Sequence, residues 1–121
     1  MTKVLVIEDE ELIRESILNL LNARGFSAIG AGDGGVGLQL AKEIVPDLIL
    51  CDVRMPELDG YEVLRALRQD PIAATIPFIF LTAQTTQDVQ RPGQLLGANG
   101  YLTKPFTTAE LLEAIATHLR K

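Results

Sequence analysis

Cysteine, histidine and basic residues are scarce in this chain, and each shortage removes a class of function. One cysteine, Cys51, leaves no internal disulfide, and with His118 as the only histidine no Cys/His metal cluster can form. Such cysteine usage suits a reducing compartment. Lys and Arg total 11 against 16 Asp and Glu, a formal charge of −5. Direct binding of nucleic acid needs clustered cations, and an anionic membrane surface repels such a chain, so neither is expected as a partner. No apolar run approaches the ~18 residues that span a bilayer. The first residues, Met1 to Ile7, meet Glu8 too early for a signal peptide, and a cytoplasmic location is expected. No glycine-rich loop follows the first apolar run, which argues against a nucleotide or flavin cradle.

What the chain does have is the composition of one globular domain over residues 1–121, with 47% hydrophobic and 22% charged residues and no repeat or linker. Val4-Leu5-Val6-Ile7 is a short β-branched run of the kind that forms a strand buried on both faces. Leu12, Ile13, Ile17, Leu20 and Leu21 follow at helical spacing, with Gly25 placed to end the helix. A weaker strand is expected over Phe26 to Ala31. Asp33 then caps a helix presenting Val36, Leu40 and Ile44 and stopped by Pro46. Leu48 to Cys51 reads as a third strand, and Asp59 with Glu62 as a capping arrangement before Val63, Leu64 and Leu67. Phe78 to Leu81, introduced by Pro77, is the fourth strand. Tyr101 to Thr103 is the fifth, after the Asn99-Gly100 turn. Thr107 and Glu110 open a last helix bearing Leu111, Leu112, Ile115 and Leu119. Pro92-Gly93 falls where a fourth helix belongs, so that helix either starts near Arg91 with the proline in its first turn or is kinked there.

Five alternations of strand and helix predict an α/β fold: a five-stranded parallel sheet, doubly wound, with right-handed crossovers. Such sheets bind ligands beyond the carboxyl ends of their strands. Those ends carry Glu8, Asp9 and Glu10 after the first strand, Asp52 after the third, Thr82 after the fourth and Lys104 after the fifth. Taken singly, Asp9 is a good helix cap, Thr82 a turn residue and Lys104 a solvated cation. Together they form a site. Gathered carboxylates repel unless a cation joins them, and oxygen donors favour a hard ion such as Mg²⁺. A cation site gains nothing from Lys104, whereas a site handling a phosphoryl group needs that charge and a hydroxyl.

Four stretches, Val4-Leu5-Val6-Ile7-Glu8-Asp9-Glu10, Asp52-Val53-Arg54-Met55-Pro56-Glu57-Leu58-Asp59-Gly60, Leu81-Thr82-Ala83 and Tyr101-Leu102-Thr103-Lys104-Pro105-Phe106, occur in this order. In them the chain, from Lys3 to Leu119, resembles the receiver domains of bacterial two-component response regulators, including the single-domain chemotaxis regulators. The resemblance implies the flavodoxin-like strand order 2-1-3-4-5. It implies Asp52 as phosphoacceptor, and Mg²⁺ (or Mn²⁺) held by Glu8, Asp9, Asp52 and the backbone carbonyl of Arg54. Thr82 and Lys104 would contact the phosphoryl oxygens. Tyr101 would change rotamer with Thr82 as the switch, and the Lys104-Pro105 peptide would be cis.

The implied function is a phosphorylation-activated signalling switch rather than an enzyme. Asp52 takes the phosphoryl group from a sensor histidine kinase or a histidine phosphotransfer protein. The change passes to the face of the fourth helix, fifth strand and fifth helix, which serves a downstream target, an effector domain or a phosphorylation-dependent dimer. No effector domain is expected within these residues, and Pro92 bears on that face. Two other readings compete: a pseudo-receiver that binds partners without phosphorylation, and a phosphatase-like enzyme using Asp52 as a turnover nucleophile. The intact set of Asp9, Asp52, Thr82 and Lys104 speaks against the first of these.

Glu8 stands where the family often has aspartate, and its extra methylene is expected to bring its carboxylate to a metal-bound water. Arg54 either covers the acyl phosphate, pairs with Glu8 or is simply solvated. Cys51, pointing away from Asp52, is expected to be a buried structural thiol, and His118 to sit favourably at a helix carboxyl end.

Overall fold

The computed structural model describes residues 1–83 and 97–119. Five parallel strands, β1 (Lys3–Ile7), β2 (Ser27–Ala31), β3 (Leu48–Asp52), β4 (Phe78–Thr82) and β5 (Gly100–Thr103), lie in the order β2-β1-β3-β4-β5. The described residues hold the helices α1 (Glu11–Ala23), α2 (Gly34–Ile44), α3 (Gly60–Arg68) and α4 (Thr108–His118). The fourth helix expected around Pro92 lies outside the described residues, so α4 here is the last helix of the sequence reading.

Side chains alternate across each strand, and the central strands β3 and β4 are apolar up to their last residues because both faces are covered. Leu5, Ile7, Ile49, Cys51, Phe78 and Phe80 face α2 and α3; Val4, Val6, Leu48, Leu50, Ile79 and Leu81 face α1 and α4. Cys51 is thus a buried core residue, on the opposite face from Asp52. Each large side chain taken fully out of water contributes roughly 1.5–3 kcal/mol.

Local chemistry sets where the helices begin and end. Asp33 accepts the Val36 amide at 2.8 Å. Asp59 with Glu62, and Thr107 with Glu110, form full capping boxes, each closing two amides reciprocally. Gly25, at φ 90°, takes the left-handed conformation just past α1. By contrast α1 has no side-chain cap at all: its first flanking residue is Glu10, and Asp9 does not serve there.

Two expected core positions are corrected. Leu12 is 87% exposed, and α1 buries Ile17 and Leu21 instead. Val36 is also exposed, because α2 turns Gly34, Gly37 and Ala41 inward. A Cβ on Gly37 would stand 2.6 Å from Ile7 Cδ1, so the missing side chain is what lets α2 lie so near β1. Apolar spacing alone points to the wrong face when glycine makes the contact.

Candidate functional site

The register of the sheet delivers the chemistry to one rim. Asp52 is the last residue of β3 and pairs with Leu81, and Thr82 ends β4 opposite Thr103. The ladders run on past the strands: the Glu8 amide donates to the Ala31 carbonyl at 3.0 Å, and the Lys104 amide to the Thr82 carbonyl at 2.7 Å. Glu8, Asp52, Thr82 and Lys104 are therefore each tied to the sheet by the backbone of the residue itself. Gly60 closes the floor. Its amide donates to the Val53 carbonyl at 2.9 Å, and a Cβ there would lie 2.4 Å from the Asp52 carbonyl oxygen. Only glycine allows α3 to begin so near the end of β3.

Glu8 is fully buried, Asp52 is 8% exposed and Thr82 4%, while Asp9 and Lys104 are half-buried. Glu8, Asp9 and Asp52 can each offer one carboxylate oxygen such that the three atoms lie within 4.8 Å of one another. Lys104 Nζ donates to Glu8 Oε1 at 2.7 Å and stands 3.4 Å from Asp52 Oδ1. The other Glu8 oxygen accepts the Glu10 amide at 3.2 Å.

One ammonium does not neutralise this group. Burial pushes the Asp52 carboxyl up to about 6, the Glu8 charge adds to the shift, and Lys104 only partly offsets it. Asp9 is raised too, first by burial and then by its hydrogen bond with Glu8. Burial alone would lower Lys104, but its hydrogen bond to Glu8 and the Asp52 charge prevail and hold it above the usual lysine range. The site lacks positive charge. A hard divalent cation fits this donor set of carboxylate oxygens, and Mg²⁺ meets it with few protein ligands and retained water.

Thr82 and Lys104 line an open cleft of about 250 Å³ beside Asp52, together with Glu10, Ile13 and Arg54. Arg54 itself is exposed. Among the described residues it makes no ion pair with Glu8, whose carboxylate is taken by Lys104 and Glu10. Of the three alternatives for Arg54, the pairing with Glu8 is set aside: the longer Glu8 side chain is fully buried and meets Lys104 instead. Tyr101 is half-buried, its ring stacked on Phe80 at 5.7 Å and 27°, two residues before Thr82 on the neighbouring strand. The Lys104-Pro105 peptide is cis.

The sequence reading missed two contacts. Glu10 was counted only as one of the acids, yet its amide holds Glu8. Arg14, one turn into α1, donates from Nη1 to the Glu8 carbonyl at 2.9 Å. The available signal for Arg14 was indirect: glycines at alternate positions 30 and 32, bare on the side that the arginine covers.

Comparison with known proteins adds an independent line. A family model described as the response regulator receiver domain matches residues 4–116. A probable transcriptional regulator ycf27 of Porphyridium aerugineum is 39% identical over 119 residues, 98% of this chain and 48% of that protein. The chain thus spans about half the length of the curated relatives it matches. Among solved structures, chemotaxis protein CheY4 of Vibrio cholerae superposes with a TM-score of 0.95 at 33% identity, covering 98% of this chain and 99% of that one. The receiver domain of sensor histidine kinase PA1611 from Pseudomonas aeruginosa PAO1 gives a TM-score of 0.89 at 32% identity, covering 97% and 96% of the two chains. That structure has a magnesium ion coordinated in its active site cleft.

Proposed function

Since this chain belongs to the response regulator receiver domain family, we propose that it is a phosphorylation-activated switch whose phosphoacceptor is Asp52. Receiver domains are signalling switches rather than turnover enzymes, and they work with histidine kinases or phosphotransfer proteins. The observation that carries the reading is the placement of Lys104 Nζ between the buried carboxylates of Glu8 and Asp52, at 2.7 and 3.4 Å.

A carboxylate oxygen of Asp52 attacks the phosphorus of a phosphohistidine on the partner. The P–N bond breaks as the P–O bond forms; the imidazole leaves with the electron pair and takes a proton from solvent, and an acyl phosphate remains on Asp52. The nucleophile is ionised at neutral pH, since its carboxyl titrates near 6. An anion must here approach an anionic phosphoryl group. Glu8, Asp9, Asp52 and the Arg54 carbonyl would hold Mg²⁺, which would supply charge neutralisation there. Lys104 supplies the rest by turning from Glu8 toward the new phosphoryl oxygens, and the Thr82 hydroxyl donates a further hydrogen bond. Movement of Thr82 toward the phosphate then frees space beside Tyr101, whose ring changes its packing on Phe80. A local change in charge so biases a two-state element.

The partner class is a sensor histidine kinase or a histidine phosphotransfer protein in the cytoplasm, with the output passing to an effector domain or a separate target protein. The test is incubation with Mg²⁺ and a small-molecule phosphodonor. A single acid-stable, base-labile phosphoryl adduct per chain supports the reading. No adduct would favour a pseudo-receiver, and sustained release of phosphate a hydrolase.

A further inference from the structure

Glu8 and Asp9 emerge from β1 into a loop that no helix cap steadies, because α1 begins without a side-chain cap. Their placement must come from elsewhere. Two contacts hold the Glu8 backbone: its amide donates to the Ala31 carbonyl at 3.0 Å, and its carbonyl accepts Arg14 Nη1 at 2.9 Å. The Glu8 carbonyl and the Asp9 nitrogen belong to one planar peptide. Fixing that oxygen therefore fixes the plane from which Asp9 departs.

Arg14 reaches this carbonyl by lying across the end of β2. A Cβ on Gly30 would come within 3.2 Å of Arg14 Cδ and 2.7 Å of Leu18 Cδ1; one on Gly32 would meet Arg14 Nη1 at 3.2 Å. Residues two apart in extended chain share a side, so these glycines leave a bare strip that the arginine fills. Among the described residues no carboxylate forms an ion pair with Arg14. The guanidinium is spent on the backbone of the acidic loop.

We propose that Arg14 is a positioning residue for the acidic pair: its guanidinium locks the Glu8–Asp9 peptide and so sets where both carboxylates stand for Mg²⁺. This role rests on the functional reading above. Arg14 touches no reacting atom; it acts through the backbone, as outer groups that orient metal ligands do.

The test is an NMR titration of the full chain with Mg²⁺, comparing wild type, Arg14→Ala and Arg14→Lys, with urea unfolding in parallel. In metal-free protein, Arg14→Ala moves the Asp9 amide nitrogen resonance, because its peptide loses a hydrogen bond. The Mg²⁺ dissociation constant of Arg14→Ala rises on the order of 10-fold, and Arg14→Lys, which keeps a donor, recovers part of the loss. Should Arg14→Ala fold poorly, Gly32→Ala places a Cβ 3.2 Å from Arg14 Nη1, with no atom but those of Arg14 within 4 Å, and weakens Mg²⁺ binding in the same direction. Wild-type Mg²⁺ affinity in a folded Arg14→Ala, whatever its stability, overturns the proposal and leaves the functional reading standing. A wild type that takes up no Mg²⁺ overturns both.

Discussion

Lys104 lies closer to Glu8 than to Asp52, with its ammonium 2.7 Å from one carboxylate and 3.4 Å from the other. The longer glutamate side chain draws the lysine toward the buried side of the rim. In this arrangement Lys104 pairs with a fully buried acid, and in the proposed function taking up a phosphoryl group would mean exchanging that partner.

Removal of Lys104 should therefore destabilise the fold as well as the reaction. Lys104→Met leaves the fully buried Glu8 without its ammonium partner, a loss of about 3 kcal/mol, at the lower end for a broken buried pair because the lysine is partly solvated. Glu8→Gln costs less, since the freed ammonium can reach solvent. Urea midpoints of both variants and the double variant should show strong coupling; additive losses would mean that the pair contributes nothing.

Asp52 makes stability depend on pH in a definite direction. Its folded-state carboxyl titrates near 6, above its ordinary value of 3.8, so between these values the folded chain binds more protons than the unfolded one. Stability falls as pH rises through that window and stays lower above it. The raised Asp9 acts with the same sign. Metal-free protein should accordingly unfold at lower urea at pH 7.5 than at pH 5. Asp52→Asn should recover roughly 1–3 kcal/mol at pH 7.5 and flatten the dependence. Saturating Mg²⁺ should stabilise wild type at neutral pH. A flat profile in wild type would exclude the crowding of charge described above.

Gly60→Ala forces a Cβ to within 2.4 Å of the Asp52 carbonyl oxygen unless α3 shifts. The expected loss is about 1–3 kcal/mol, together with slower acceptance of phosphate, because the shift moves the end of β3. Urea unfolding and the rate of adduct formation should change together.

Leu12→Ser tests the corrected face of α1. The side chain is 87% exposed, so the substitution should change stability by no more than about 0.5 kcal/mol. A loss as large as that of a buried leucine would restore Leu12 to the core.

Much of the fold was legible because local signals agreed with one another. The capping residues Asp59 with Glu62 and Thr107 with Glu110 lie where the helices begin, and short apolar runs mark the buried strands. The acids, Thr82 and Lys104 could be assigned to one rim because each follows such a run. What stayed hidden depends on distances between elements. Gly34 and Gly37 form the inner face of α2, yet periodicity counts only apolar side chains and so selects Val36. The choice of Lys104 for Glu8 arises only once β1 and β5 share one sheet, and the reach of Arg14 across Gly30 and Gly32 only once β1, β2 and α1 are packed.

In the proposed function an oxygen of Asp52 bonds to phosphorus, and intact mass measurement with peptide mapping tests that most directly. After Mg²⁺ and a small phosphodonor, wild type should gain one phosphoryl group, located on the peptide containing Asp52. Asp52→Asn should gain none, and chelation of the metal should prevent the gain in wild type. A phosphoryl group mapped to any other residue, or an unmodified wild type under these conditions, would contradict the account.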